Sequence, residues 1–345
     1  MGFWSKTTAT PTLWQASGFS RLLPDFIRTT TIPLPTLKDG EQIRRLNGSD
    51  LNKVGPFWQR YYSGDDWELD ESVNIWARQY LQDPDVIVLG LFNTTGLVAT
   101  IVSTPLGNTI MSHGAILRNT RVIEGLCVHD TSRQTGVAGF MIEYMDAYTS
   151  TMFGPTVHFW SRELHKKPVF STALTTDTYA YIQCAAATTS LPITPIDWTL
   201  FQQLWISNSS LWCSAVEGPS IVALTPKNRR NALTVLGVQG HIVVVSRTGR
   251  QTKPARLPIW EVVWCGVRSG ATLRPAAADE RTLTSVAAYL QRGLLFASSA
   301  PTGGGVRKEW TGWQFGRSGV HAWYIYNYIP PAFGSCTIHA IREEI

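Results

Sequence analysis

Cysteine is scarce and scattered in this chain. Five residues (Cys127, Cys184, Cys213, Cys265 and Cys336) are spread over 345 positions, with no CxxC pair and no Cys/His grouping at zinc spacing. An odd, dispersed set excludes a disulfide framework and a zinc centre as organising devices, and no metal is expected. It points to a reducing, cytoplasmic setting. Long apolar runs are missing too. Nothing approaches the roughly 18–20 residues of a membrane-spanning helix, and the N-terminus lacks the charged-then-apolar order of a secretory leader. The sequons at Asn47, Asn93 and Asn208 are accordingly read as chance matches. Charge is thin, at 16% of residues, against 44% hydrophobic residues and 14 tryptophans. A chain of this length and composition builds a sizeable core, and some of its aromatics should line a groove.

What charge there is lies unevenly. Residues 173–345 carry 15 Lys/Arg against 9 Asp/Glu, whereas residues 1–172 carry 15 against 16. A basic half suits an anionic partner. The one tight basic run in it, Lys227 with Arg229 and Arg230, has no interleaved aromatics, so nucleic acid is not expected.

Residues 1–40 are rich in Thr, Pro and Ser and read as an extended arm. Helices are predicted near 50–62 and 72–81, separated by the acidic stretch Asp65-Asp66-Trp67-Glu68-Leu69-Asp70. Apolar runs at 86–92 and 96–103, split by Asn93-Thr94-Thr95, predict a hairpin. A strand over 121–129, a helix over 134–147 and a strand over 156–161 follow. The second half repeats this grammar: a helix at 198–205, strands near 220–224, 241–246 and 259–267, a helix at 280–291, a strand at 293–297 and a final β stretch from Val320. Strands followed by a helix, twice over, predict an α+β chain with an internal structural duplication.

The sharpest local signal is Val122-Ile123-Glu124-Gly125-Leu126-Cys127-Val128-His129, followed by Arg133-Gln134-Thr135-Gly136-Val137-Ala138. A strand runs into a turn, and small residues at 136, 138 and 139 open a helix. Free N–H groups in a first helical turn, backed by the positive end of the dipole, suit a pyrophosphate, and Arg133 adds a charge. By itself this pattern fits an ordinary strand-to-helix turn equally well.

The flanking residues decide between the two. The R-x-x-G-x-A element resembles the acyl-CoA loop of the acetyltransferase (GNAT) superfamily. Gly125-Leu126-Cys127-Val128-His129 resembles the F-L-C-V-H strand of N-myristoyltransferases, and Tyr324-Ile325-Tyr326-Asn327-Tyr328, continuing to Gly334, resembles that family's C-terminal Y-x-L-Y-N-W segment. Phe3-Trp4-Ser5, Tyr62-Ser63-Gly64-Asp65-Asp66, Trp160-Ser161 with Lys167-Pro168-Val169, and Phe315-Gly316 fall in the family's order. The chain resembles a divergent N-myristoyltransferase, least so over residues 170–260.

That resemblance implies two tandem GNAT-like α/β halves with mixed twisted sheets, forming one bilobal unit. After the arm at 1–40, residues 41–190 would bind acyl-CoA and residues 191–345 a peptide. The co-substrate would be myristoyl-CoA, the partners would be proteins or peptides with an N-terminal glycine, and the protein would be a monomer. The amides of Gly125 and Leu126 would hold the thioester oxygen, and Phe3, Trp4 and Arg133 through Ala138 would hold the CoA. Tyr62, Asp65, Asp66, Trp67, Ser161, Tyr326 and Asn327 would face the peptide. The family uses its C-terminal carboxylate as base. Its last residue aligns with Glu343, and this chain continues to Ile345, so either the Glu343 side chain or the Ile345 carboxylate is expected to serve. Two alternatives stand beside this reading: an acyltransferase for a shorter acyl-CoA, and a retired fold kept for binding. Cys127 and His129, on one face of a strand, also invite a thiol-hydrolase reading, against which a buried thiol and a satisfied histidine are the simpler account.

Overall fold

The computed structural model describes residues 34–64, 67–111, 116–154, 156–164, 175–184, 191–215, 220–228, 231–290, 294–298, 313–326 and 337–339. Side chains at 161–190, 213–220 and from 291 onward are outside that description, as are Phe3, Trp4, Asp65, Asp66, Asn327, Glu343 and Ile345.

The first half opens with β1 (Gln42–Arg45), α1 (Leu51–Tyr61), β2 (Trp67–Leu69) and α2 (Val73–Gln82). It continues with β3 (Ile87–Asn93), β4 (Gly96–Met111), β5 (Ile116–Val128), α3 (Val137–Phe153) and β6 (Val157–Leu164). The run from Ile87 to Leu91 is apolar on both faces because both faces are covered. Met141, Ile142 and Met145 of α3 pack on one side, with Leu89 and Ile101. Trp58, Trp76 and Tyr80 of α1 and α2 pack on the other, with Val88 and Val102.

The start of α1 is fixed by charge. Asn47 and Asp50 form a reciprocal capping box around Gly48–Asp50, and Arg44 grips Asp50 with two nitrogens at 2.6 and 2.9 Å. The guanidinium, helped by the Asn47 amide, holds the Asp50 carboxyl below its ordinary 3.8 although burial opposes it. A depressed acid stabilises the fold above its ordinary value and loses that contribution as the pH falls through the native value. Asp50→Asn is expected to cost about 2 kcal/mol in urea unfolding at pH 7. The gap to wild type should close as the pH falls below 3.8.

β7 (Thr175–Cys184) and β8 (Ile193–Pro195) lead to α4 (Trp198–Ala215), β9 (Ser220–Ala223), β10 (Leu233–Val238), β11 (His241–Thr252), β12 (Pro258–Ser269), β13 (Thr272–Pro275), α5 (Glu280–Tyr289) and β14 (Leu294–Ser298). β15 (Trp313–Tyr326) and β16 (Thr337–His339) close the chain's described part. Here too a sheet has a helix on each face. Leu283, Val286 and Ala287 of α5 pack on Val243, Val245 and Val262, while Phe201, Trp205 and Trp212 of α4 pack on Ile242, Val244 and Trp264. The fold class is α+β, with two halves of the same construction.

The halves share one continuous ladder, β1-β3-β4-β5-β6-β15-β7-β14-β12-β11-β10-β8. β15, late in the chain, lies between β6 and β7. β2, inside the acidic stretch, leaves the first half and pairs antiparallel with β11 of the second, Trp67 opposite Thr252 and Leu69 opposite Arg250. Gly249 lies beside that junction with φ +67, and a Cβ there would come within 2.6 Å of the Trp76 ring. Only glycine allows α2 to close on β11 at this point.

Candidate active site

β5 pairs parallel with β6 over three residues only, Thr120–Val122 opposite Val157–Phe159. Past Val122, β6 goes on with β15, and the described ladders give β5 no neighbour on that side. The strands part, and in the parted stretch β5 is irregular against β4. Thr100 faces Cys127 and Val102 faces Glu124, so Gly125 and Leu126 together oppose Ile101. This is a two-against-one bulge, which frees backbone groups from the ladder. Gly125 sits in it with φ +57, a conformation glycine adopts without a side-chain penalty. The bulge is pinned from behind: Trp58 Nε1 donates to Thr100 Oγ1 at 2.8 Å, and that hydroxyl donates to the Gly125 carbonyl at 3.4 Å.

After β5 the chain makes a short 3₁₀ turn at Asp130–Ser132 and reaches α3 through residues 133–136, all exposed. Gln134 and Gly136 both have positive φ, 64° and 90°. That delays the helix start to Val137, three residues beyond the predicted 134. Gly136 is the N-cap of α3, and nothing lies within 4 Å of where its Cβ would be. Among the described residues no side chain caps this helix, and its first turn holds no acid. The opening of this 17-residue helix, with no acid in its first turn and with open space at Gly136 among the described residues, fits a pyrophosphate.

The second half offers an internal contrast. β12 pairs parallel with β14 over Ile259–Val262, and its register with β11 slips just beyond, between Val244 and Val245. The helix that follows, α5, is closed to anions. Asp279 caps it, accepting from the Thr282 amide at 2.7 Å, and Glu280 lies in the first turn.

Arg133, expected to add a charge at the pyrophosphate, is also engaged within the loop. Its guanidinium donates to the Tyr61 carbonyl at 2.8 Å and the Val128 carbonyl at 3.2 Å, and pairs with Asp130 at 3.1 Å. It braces the loop while half its side-chain surface stays exposed. Thr135 donates its hydroxyl to the Ser132 carbonyl at 2.7 Å. Val137 is buried in the core, and Ala138 is exposed at the helix opening.

Tyr61 was not legible as a site residue. It ends α1, its ring lies tilted against His129 with centroids 4.4 Å apart, and its hydroxyl lies 2.8 Å from Nε2. Since Nδ1 accepts from the Thr131 amide, Nε2 carries the proton and donates to the tyrosine. Two ties therefore join the end of α1 to the loop before α3. From Tyr61 the chain passes directly into the acidic stretch. Tyr62 and Trp67 rings meet edge-on at 5.7 Å, and Arg250 covers Trp67 at 4.7 Å. Gln251 donates to Glu68 at 2.9 Å, and Lys253 donates to the Gly64 carbonyl at 3.2 Å. Neighbours from the second half thus hold both flanks of Asp65-Asp66. Ser161 is placed only as backbone, in β6 opposite Trp323, and Tyr326 ends β15 opposite His158.

Neither nucleophile arrangement in this region is open to a substrate. Cys127 is buried, and burial pushes its thiol up to about 12. His129 is engaged with Tyr61 and Thr131. Iodoacetamide at pH 8 is expected to leave Cys127 unmodified in native protein, read by peptide mapping. Rapid labelling would restore the thiol-hydrolase reading. A second set, unforeseen from sequence, joins α3 to β6: His158 lies 3.0 Å from Asp146 and 3.1 Å from Thr149 Oγ1. All three are buried, and the Thr149 hydroxyl is committed to the Met145 carbonyl at 2.8 Å. They clamp the helix beside the point where β5 and β6 part. Among the described residues no three His, Cys, Asp or Glu side chains converge as a metal site, and no helix is long and apolar enough to cross a membrane.

No protein-family model matches this sequence, and no curated protein matches it. Solved structures do. A structure of Saccharomyces cerevisiae N-myristoyltransferase with bound myristoyl-CoA superposes with a TM-score of 0.63, covering 94% of this chain and 92% of that one at 12% identity. A second structure of the yeast enzyme with myristoyl-CoA gives 0.62, with 94% and 88% covered at 11% identity. A third, with myristoyl-CoA and inhibitors, gives 0.58, with 89% and 84% covered at 12% identity. The chain has the N-myristoyltransferase fold, at a sequence distance where likeness speaks for the fold alone.

Proposed function

We propose that this protein is an N-acyltransferase that moves the myristoyl group of myristoyl-CoA onto the N-terminal glycine amine of a protein or peptide. The observation that carries the reading is a pair of features one short loop apart. A two-against-one bulge stands where β5 leaves β6, and the next helix opens at a glycine N-cap and free of acid. Acyl transfer from CoA needs both, donors for a carbonyl oxygen that gains charge and a cradle for a pyrophosphate. In this reading residues 41–190 hold the acyl-CoA and residues 191–345 complete the peptide groove.

Each part then has a task. The amides of Gly125 and Leu126 receive the thioester oxygen. Donors fixed in advance contribute about 3 kcal/mol each to the stabilisation of such an oxyanion. The opening of α3, from Gly136 through Ala138, takes the pyrophosphate, while Phe3 and Trp4 of the arm lie over the cofactor. Tyr62, Asp65, Asp66 and Trp67 cover the peptide, with Ser161, Tyr326 and Asn327 along its path. An α-amine near 8 and a terminal carboxyl near 3.5 make proton transfer in water uphill by about 6 kcal/mol. A base at the chain's end, the Glu343 side chain or the Ile345 carboxylate, works only in a dry groove that brings the two values together.

The test is transfer of labelled myristoyl from its CoA thioester to a peptide beginning Gly-x-x-x-Ser, with the N-acetylated peptide as control. Incorporation that needs the free amine supports the reading. Binding of myristoyl-CoA without transfer leaves a retired fold, transfer of short acyl groups in preference to myristoyl changes the substrate, and absence of both binding and transfer removes the enzyme altogether.

A further inference from the structure

A cavity of about 240 Å³ lies at the other end of the β4–β5 pair, with Asn108, Asn119, Arg121 and Phe153 among its walls and Pro84 and Pro105 beside them. Six residues of strand separate Asn119 from Gly125, roughly 20 Å, so this cavity is not part of the bulge site. The backbone is irregular around it. The β4–β5 register slips on both sides of Gly107, and Gly107 and Asn119 have φ of +87 and +54. Facing side chains of a regular ladder stand about 5 Å apart and would fill such a gap.

Its surfaces are flat and preset. Arg121 is 5% exposed and lies 4.9 Å from the centre of the Phe153 ring. It is held by Ser103 Oγ and the Ser103 carbonyl at 2.8 Å and by the Asp85 carbonyl at 2.7 Å. Phe153 keeps 40% of its surface exposed at the end of α3, and Asn119 fixes its carbonyl at 3.3 Å. The exposed Asn108 amide has no hydrogen-bond partner among the described residues. A partly exposed aromatic ring and a primary amide, which offers donor and acceptor side by side, line the same cavity, and together they are the chemistry that reads a nucleobase edge. The walls include one cation and one anion, Arg121 and Asp85, which suits an uncharged ligand.

We propose that this cavity binds the base of a free purine nucleoside, stacked on Phe153 and hydrogen-bonded by Asn108. The proposal does not depend on the transferase reading. The adenine of CoA is the other source of such a ring, and the experiment separates the two. Adenosine and guanosine are titrated calorimetrically into full-length protein, alone and with saturating myristoyl-CoA. Expected is binding of at least one of them that persists in myristoyl-CoA and weakens at least tenfold in Phe153→Ala and in Asn108→Ala. Asn108→Ala, at an exposed position, carries the test should Phe153→Ala fail to fold. Binding of neither nucleoside overturns the proposal, as does binding that myristoyl-CoA displaces or that Asn108→Ala leaves intact.

Discussion

Gly136→Asp is expected to lower the affinity for myristoyl-CoA at least 100-fold while leaving the protein folded. The native helix opens without a cap, at a residue with φ +90 and empty space beyond it. An aspartate there would set a carboxylate at the opening of α3, as Asp279 does at α5, although the left-handed backbone at 136 does not aim it at the amides as the extended backbone of Asp279 does. It would place a negative charge against the pyrophosphate. Like charges brought together in a site cost several kcal/mol, and each 1.4 kcal/mol is tenfold in affinity. Gly136→Ala is the control, since it carries the backbone penalty of about 1–2 kcal/mol without the charge. Calorimetric titration with myristoyl-CoA, read beside thermal melts, separates the two. Equal affinity in wild type and Gly136→Asp would remove the anion site from this helix.

The second large effect belongs to the core of the other half. Trp264→Ala is expected to cost about 3–5 kcal/mol. Trp264 is fully buried between Trp205 and Trp212 at 5.3 and 5.7 Å, with Phe201 at 5.8 Å, and its ring fills the space that Gly266 leaves. Removing it takes the shared wall from three aromatics at once. Trp264→Phe should cost far less. The Trp264 indole N–H has no partner among the described residues, and an unsatisfied buried donor costs about 1–3 kcal/mol, which phenylalanine recovers while keeping much of the packing. Urea unfolding checks both. A phenylalanine variant as damaged as the alanine one would mean that the donor is satisfied, by water for example, in solution.

The helices of this chain were largely legible. Expected spans of 50–62, 72–81 and 280–291 correspond to Leu51–Tyr61, Val73–Gln82 and Glu280–Tyr289, because apolar spacing along a helix is a local property. The hairpin at Asn93-Thr94-Thr95 was equally plain. The acidic stretch was not: Trp67–Leu69 is short, holds Glu68 and is flanked by aspartates, and it becomes a strand only because β11, more than 180 residues away, supplies a free edge. β7 and β10 were missed. β15 starts at Trp313 rather than Val320, since pairing with β7 extends it toward its N-terminal end.

Of the candidate site, the sequence by itself determined the glycines and the order of the parts: Gly125 before Gly136, a strand before a helix, and no acid at the helix opening. Those are matters of backbone freedom and residue type, and they are written residue by residue. The tertiary structure decided what these parts meet. It set β5 apart from β6 after three paired residues, turned Arg133 onto the Tyr61 carbonyl, tied His129 to the end of α1, and laid the acidic stretch across the second half. Such contacts depend on which distant segments the packed sheet brings together, and no local pattern encodes a neighbour that the chain reaches only by folding.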